Sequence, residues 1–292
     1  MRTAKIVVGV DGSPPSVAAL CWAAREARRR GAELAVLVAY HWRTPAAHLL
    51  VNEEFEEYVR DLATSIMEAA VAEARTVAPR VHVHGAAVFG EPAPILLEAS
   101  DDAEMLVTGS RGSGGFARLL AGSVSVQVAT RASCPVTVVR GRDDEDDSEP
   151  VVIGVDGSES AAVATGVAFE EAAGRGCPLM AALAYDISMP PWSMGPLPVE
   201  YDATRIQADL QAALIGHVAG WHDKYPDVPV EYVVGQGSPG AVLTCWSRHA
   251  QLLVVGGHGH GPTAGLLPGS VGLQLIHHAD CPVLIARARP SD

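Results

Sequence analysis

The chain lacks the features that anchor several large functional classes. It has five cysteines, Cys21, Cys134, Cys177, Cys245 and Cys281, dispersed and without a CxxC pair. Neither a disulfide framework nor a zinc knuckle is implied. No apolar run reaches the ~18 residues of a membrane helix. Met1 to Lys5 leads straight into a strand-like segment with no signal-type apolar stretch, so a soluble cytoplasmic protein with no membrane role is expected. Basic residues are the minority, 21 Lys and Arg against 34 Asp and Glu, for a formal charge of −13. Such a chain is repelled by a phosphate backbone, so nucleic acid is not an expected partner. The only basic cluster, Arg25, Arg28, Arg29 and Arg30, reads as the polar C-terminal end of a helix, where the dipole favours cations. There is no GxSxG elbow, Walker lysine or HExxH, and no catalytic residue is assigned.

What is present is a duplication. The 292 residues suit two domains of about 100–200 residues each. Gly109-Ser110-Arg111-Gly112-Ser113-Gly114-Gly115 follows the apolar run Met105 to Thr108, and Gly122-Ser123 comes after it. Gly256-Gly257-His258-Gly259-His260-Gly261 follows Leu252 to Val255, and Gly269-Ser270 closes it. Gly256 lies 147 residues after Gly109, and Gly269 lies 147 after Gly122. A lone glycine-rich loop reads equally well as a flexible connector; its recurrence at fixed spacing points to a phosphate cradle. Glycines allow positive φ and leave backbone N–H groups uncovered. A helix opening at Ser123 or Ser270, with serine as N-cap, adds free N–H groups and a positive dipole end.

Other segments repeat as well. Ile6 to Ser13 returns as Val151 to Ser158, Leu34 to Tyr40 as Leu179 to Tyr185, and Cys134-Pro135-Val136 as Cys281-Pro282-Val283. Asp156 lies only 145 residues after Asp11, so the second copy gains two residues midway, in the loop from Ser188 to Val199. Between the copies, residues 142–150 are acidic and almost free of apolar side chains, which reads as a solvated linker. The expected domains are therefore 1–141 and 151–289.

Within each copy the pattern is βαβαβαβαβ, an α/β arrangement with a parallel sheet and helices on both faces. Strands are expected at 5–10, 34–39, 81–89, 104–108 and 134–139. Ser13 is the expected N-cap of a helix with Val17, Leu20, Cys21 and Ala24 on its inner face. A longer helix over about 52–78 carries Phe55, Val59, Leu62, Ile66, Ala69 and Ala70 in register. Val81-His82-Val83-His84 alternates at the start of the third strand. Ligands of such sheets sit beyond the carboxyl ends of the strands where strand order reverses. If the strands ending at Asp11 and Gly109 are neighbours there, both motifs line one crevice.

The pair Val-Gly-Val-Asp-Gly-Ser and Gly-Ser-Arg-Gly-x-Gly-Gly…Gly-Ser-Val resembles the universal stress protein family, in its ATP-binding subclass, over nearly the whole chain. The resemblance implies two tandem Rossmann-like doubly wound domains, each a five-stranded sheet of order 3-2-1-4-5, with ATP between the first and fourth strands. It implies that Gly9 and Asp11 face the adenine and ribose, that Val38 and Ala39 bracket the adenine, and that Gly109 to Gly115 wrap ribose and phosphates. Ser123 and Val124 would hold phosphate. The second copy supplies Gly154, Asp156, Leu183, Ala184, Gly256 to Gly261, Ser270 and Val271.

The chemistry of the residues agrees, with alternatives. A carboxylate accepts from ribose hydroxyls, but Asp11 and Asp156 could instead cap the following helix. Arg111 can pair with phosphate or face solvent. His41, Trp42 and His48 could cover the adenine or form an ordinary loop. In the second copy Arg111 becomes His258 and Gly115 becomes Pro262, which has no N–H to donate, so weaker nucleotide binding is expected there. His258 and His260 lack further metal-ligand spacing, and the expected cofactors are ATP and the Mg2+ that accompanies it. The resemblance also implies that the fifth strands mediate pairing, here between the two domains of one chain, with a homodimer of chains compatible. A nucleotide-dependent regulator of the stress response with slow or no turnover is the leading expectation. An ATPase using the same pocket is the alternative, and a nucleotide-free scaffold is the third.

Overall fold

The structure, a computed structural model, describes residues 4–41, 53–112, 121–141, 148–186, 203–257 and 270–288. The chain divides into two compact units, Met1–Asp143 with Ile276–Asp292, and Asp144–Leu275.

The first unit is built on β1 (Lys5–Gly9), α1 (Pro14–Arg30), β2 (Glu33–Tyr40), α2 (Glu53–Val77), β3 (Val83–Phe89), α3 (Pro92–Ser100), β4 (Met105–Gly109), α4 (Ser123–Arg131) and β5 (Val136–Val139). These strands run in the order β3-β2-β1-β4-β5, all parallel. The order matches 3-2-1-4-5, with β1 between β2 and β4. Their continuous β-branched runs are buried on both faces: Ile6, Val8, Leu34, Val36, Leu106, Val107, Val136 and Val138 are fully enclosed.

The second unit carries β6 (Val151–Gly154), α5 (Glu159–Arg175), β7 (Leu179–Tyr185), α6 (Ala203–Lys224), β8 (Val230–Gln236), α7 (Pro239–Trp246) and β9 (Leu252–Gly256), followed by the start of α8 (Ser270–His278). Its strands run β8-β7-β6-β9, again parallel. The fifth strand of the second copy, β10 (Val283–Ala286), falls within the first unit, where it pairs antiparallel with β5, Leu284 opposite Thr137. Arg287 fastens it by donating to the carbonyl oxygens of Ala129 and Cys134.

Two helix faces differ from the sequence expectation. On α1 the enclosed residues are Ala19, Leu20, Trp22, Ala23, Ala24 and Ala27, while Val17 is 39% exposed and Cys21 half-buried. On α2 the buried residues are Ala63, Ala70, Val71 and Ala74, whereas Phe55 and Leu62 are exposed. Small side chains let a helix lie close on a twisted sheet, so alanines rather than the larger apolar residues mark these contacts.

The basic cluster on α1 also does more than complement the helix dipole. Arg29 and Arg30 pair with Glu26, which is 1% exposed, and Arg30 reaches Glu104 at 2.8 Å. The second unit repeats this device. Arg175 pairs with buried Glu171 at 2.8 Å and donates to Gln251 at 3.3 Å, and Gln251 holds the Glu149 carbonyl. Each triad ties its helix to the chain just before the fourth strand of the copy. Removing one partner of so enclosed a pair strands a charge, which costs about 3–5 kcal/mol. Arg175→Ala is therefore expected to lower unfolding free energy by about that amount in urea titration. A loss below about 1 kcal/mol, the value of a surface pair, would contradict the burial argument.

Candidate functional site

β1 and β4 are parallel neighbours, Gly9 opposite Thr108, so the loops leaving their carboxyl ends meet. What brings them close is a missing Cβ. A Cβ on Gly109 would lie 2.6 Å from the Pro15 carbonyl oxygen and 3.0 Å from the Ser16 nitrogen. Glycine there lets the first turn of α1 sit directly on the end of β4. Gly109 does not need positive φ; Gly12, at φ +78°, does. Gly256 repeats the arrangement against Ser160, and Gly157 repeats the turn at φ +79°.

Asp11 is fixed by the turn it starts. Its Oδ1 accepts from the Ser13 N–H at 3.0 Å and from the Ser13 hydroxyl at 2.6 Å, and its own N–H donates to Ser16 Oγ at 3.3 Å. The expected division of labour in the first copy is thus corrected. Ser13 occupies the N-cap position of α1 but its side chain makes no capping bond; its hydroxyl donates to Asp11. In the second copy Ser158 does cap, accepting from the Ala161 N–H at 3.1 Å, while Asp156 Oδ1 accepts from the Ser158 N–H at 3.0 Å.

The other face of the Asp11 carboxylate meets the glycine-rich loop. A Cβ on Gly112 would stand 2.6 Å from Asp11 Oδ2. Beyond β4, Ser110 is tied to β5 by its N–H to the Val139 oxygen, and its carbonyl accepts from the Gly122 N–H at 2.7 Å and from Ser125 Oγ at 3.3 Å. That clamp sets where α4 begins. Its N-cap is Gly122, not Ser123, which sits one residue inside the helix; Ser125 Oγ bonds the Gly122 carbonyl instead. The first-turn N–H groups of Ser123 and Val124 precede any intrahelical acceptor, and Ser123 is exposed.

Arg111 and Gly112 are exposed at this mouth. Arg140, just past β5, has its pKa lowered by burial; Asp280 opposes the shift and the nearby Arg111 charge adds to it. Two guanidinium groups, Arg111 and Arg140, thus stand near the Asp11 and Asp280 carboxylates. Val38 is buried and Ala39 half-buried on β2, whose end is closed by the Gly90 N–H to the Tyr40 oxygen. Gly9 faces α3, its absent Cβ leaving room for Leu96, and Gly154 does the same for Leu243. These two glycines fit helices against the sheet.

In the second copy Asp156 is exposed and Gly257, which replaces Ser110, is buried. Leu183 and Ala184 end β7, half-buried, and Val271 lies in the first turn of α8. Where Ile66 packs over Gly12, His217 stands over Gly157. Ser113, Gly114, Gly115, His258, Gly259, His260 and Gly261 lie outside the described residues, as do Trp42, His48 and the loop from 188 to 199; of Ser270 only the backbone is described. Sequence reasoning missed Ser16 and Ser125. Each is a small polar residue inside an otherwise apolar helical run, three residues after an N-cap, and that position was the available signal.

The model of the universal stress protein family matches residues 3–140 and again 148–287. The chain belongs to the universal stress protein family, as two tandem family domains. It is 38% identical over 297 residues to the universal stress protein Rv2005c of Mycobacterium tuberculosis, covering 97% of this chain and 96% of that protein. A universal stress protein of Mycolicibacterium smegmatis is 36% identical, with 97% of each chain covered. The crystal structure of a universal stress protein from Archaeoglobus fulgidus superposes with a TM-score of 0.73 at 17% identity, covering 99% of this chain and all of that one, which is likeness of fold.

Gly109→Ala is expected to destabilise the chain by about 1–3 kcal/mol, because the new methyl must displace backbone rather than a flexible side chain. Chemical denaturation checks it. A change within about 0.5 kcal/mol would mean that α1 does not need its close seat on β4.

Proposed function

We propose that this universal stress protein binds an adenine nucleotide, ATP with Mg2+, in the switch-point crevice of its first repeat, and acts as a nucleotide-dependent regulator in the stress response with little or no turnover. The observation that carries this reading is the meeting of the Asp11 carboxylate with Gly112 between β1 and β4, beside the opening turn of α4. A carboxylate held by an Asx turn is preset to accept from ribose hydroxyls. The first-turn N–H groups of Ser123 and Val124, and the Arg111 guanidinium, suit phosphate oxygens. Val38 and Ala39 offer the apolar flank for a base. Mg2+ would supply charge neutralisation on the phosphates, using phosphate oxygens and water more than protein ligands. Low turnover rests on the sequence, which has no Walker lysine to follow the transferring phosphate.

The second repeat is the weaker site in this proposal. Asp156 is exposed, and histidine stands at position 258 where the first copy has Arg111.

Calorimetry with ATP on the full chain tests both parts. Asp11→Ala is expected to weaken the tighter site about 10–100-fold, the value of hydrogen bonds to a charged group. Asp156→Ala is expected to leave that site within a factor of about 3. Stronger loss in Asp156→Ala reverses the ranking. Mass spectrometry of the purified protein is expected to find bound ATP. ADP or AMP in its place would convert the regulator into a hydrolase, and ligand-free protein that gives no heat at millimolar ATP removes the nucleotide altogether.

A further inference from the structure

At the opposite end of the first unit's sheet, the amino ends of β2 and β3 bring together Glu33, His82 and His84. One ligand-type atom from each lies within 4.8 Å of the other two. The backbone dictates this. β2 and β3 are parallel with Leu34 opposite Val83 and Ala35 opposite His84, and the Leu34 N–H donates to the His82 oxygen at 3.0 Å. Glu33 thus falls in register with His82, and residues 82 and 84 share one face of the strand because side chains alternate. His82 Nδ1 stands 3.3 Å from Glu33 Oε2, within hydrogen-bond reach. Two ligands about 2.1 Å from one tetrahedral ion are themselves about 3.4 Å apart, so an ion could replace that hydrogen bond with little movement. The His82 and His84 rings are 5.8 Å apart, centroid to centroid.

We propose that Glu33, His82 and His84 form a binding site for a divalent transition-metal ion of the zinc class. Two imidazoles and one carboxylate are three of the four ligands such an ion takes, which leaves a position for water or an exogenous anion. Glu33 and His82 line a groove of about 840 Å³ together with Arg28 and Arg80. The donor set decides the ion class. Ca2+ and Mg2+ take oxygen ligands, whereas two imidazole nitrogens suit zinc-class ions. The arginines repel any dication and favour an anionic fourth ligand. The duplication supplies an internal contrast. In register, the second copy has Pro178, Pro229 and Glu231 at these three places, so it retains none of the three residues. The site belongs to the first repeat, away from the nucleotide crevice, and does not depend on it.

The test is zinc calorimetry on the tag-free, chelator-stripped full chain. One zinc is expected to bind, with affinity reduced at least about 10-fold in Glu33→Gln and more in the His82→Ala, His84→Ala double variant. These side chains sit at the surface, so folding is expected to survive; circular dichroism checks it. In parallel, zinc is expected to protect His82 and His84, but not His217, from diethyl pyrocarbonate in the wild-type chain, which needs no variant. An isotherm unchanged in the double variant, as binding at exposed Cys245 or at His277-His278 would give, overturns the proposal. So does the absence of zinc binding up to millimolar concentration, or equal labelling of both histidines with and without zinc.

Discussion

The end of β4 and the start of α1 compete for the same space, and only a residue without a side chain lets both have it. With Gly109 in place, the Pro15 carbonyl lies where a Cβ would stand, and the Asp11 turn is pressed toward the loop that follows β4. The crevice between β1 and β4 follows from right-handed crossovers and parallel pairing, but its narrowness follows from this contact. It brings Asp11 Oδ2 to Gly112. The second copy makes the same contact with Gly256 and Ser160, so the constraint is a property of the repeat and not of one site.

A site built this way assigns its polar groups jointly. Asp11 holds Ser13, Ser16 holds the Asp11 N–H and the Ser13 carbonyl, and Ser125 holds both Gly122 and Ser110. Three hydroxyls and one carboxylate therefore fix the Asp11 turn and the points where the chain leaves β4 and enters α4, which reduces the ordering cost of binding. In the second copy the Ser158 hydroxyl turns to cap its helix and to meet Ser160 at 3.0 Å. The same three letters, Asp-Gly-Ser, thus carry different hydrogen bonds in the two repeats.

The duplication, the strands and the placing of both loops at strand ends were legible because they rest on strong signals: β-branched runs, fixed spacing and glycine. The strand order came from the family likeness, and contact geometry bears it out in the first unit. Less legible were choices settled by packing in three dimensions. Ser13 looked like a cap and spends its hydroxyl on Asp11; Ser123 looked like a cap and Gly122 holds the position. On α1 the larger Val17 drew attention, yet Ala19, Ala23 and Ala27 make the contact. The arginines from 25 to 30 read as a polar helix end, and the burial of Glu26 and Glu171 becomes sensible only once Arg30 and Arg175, four residues on, close over them.

Comparing the two copies separates what the fold demands from what one repeat has acquired. The buried Glu–Arg pair persists in both, and its third member changes from Glu104 to Gln251 without losing the contact. There the helix must be anchored before the fourth strand begins, and any acceptor of the right reach will serve. At the amino ends of β2 and β3 no such demand operates. Pro178 gives up the bond that the Glu33 N–H makes to the Ala4 oxygen in the first copy, yet the β7–β8 pairing still begins through the Leu179 N–H to the Pro229 oxygen. A pair of histidines and a glutamate at the matching positions of the first copy is therefore not a requirement of the sheet. Their side chains cluster at the surface, where core packing does not select them, and the proposed metal site is one account of why the three meet.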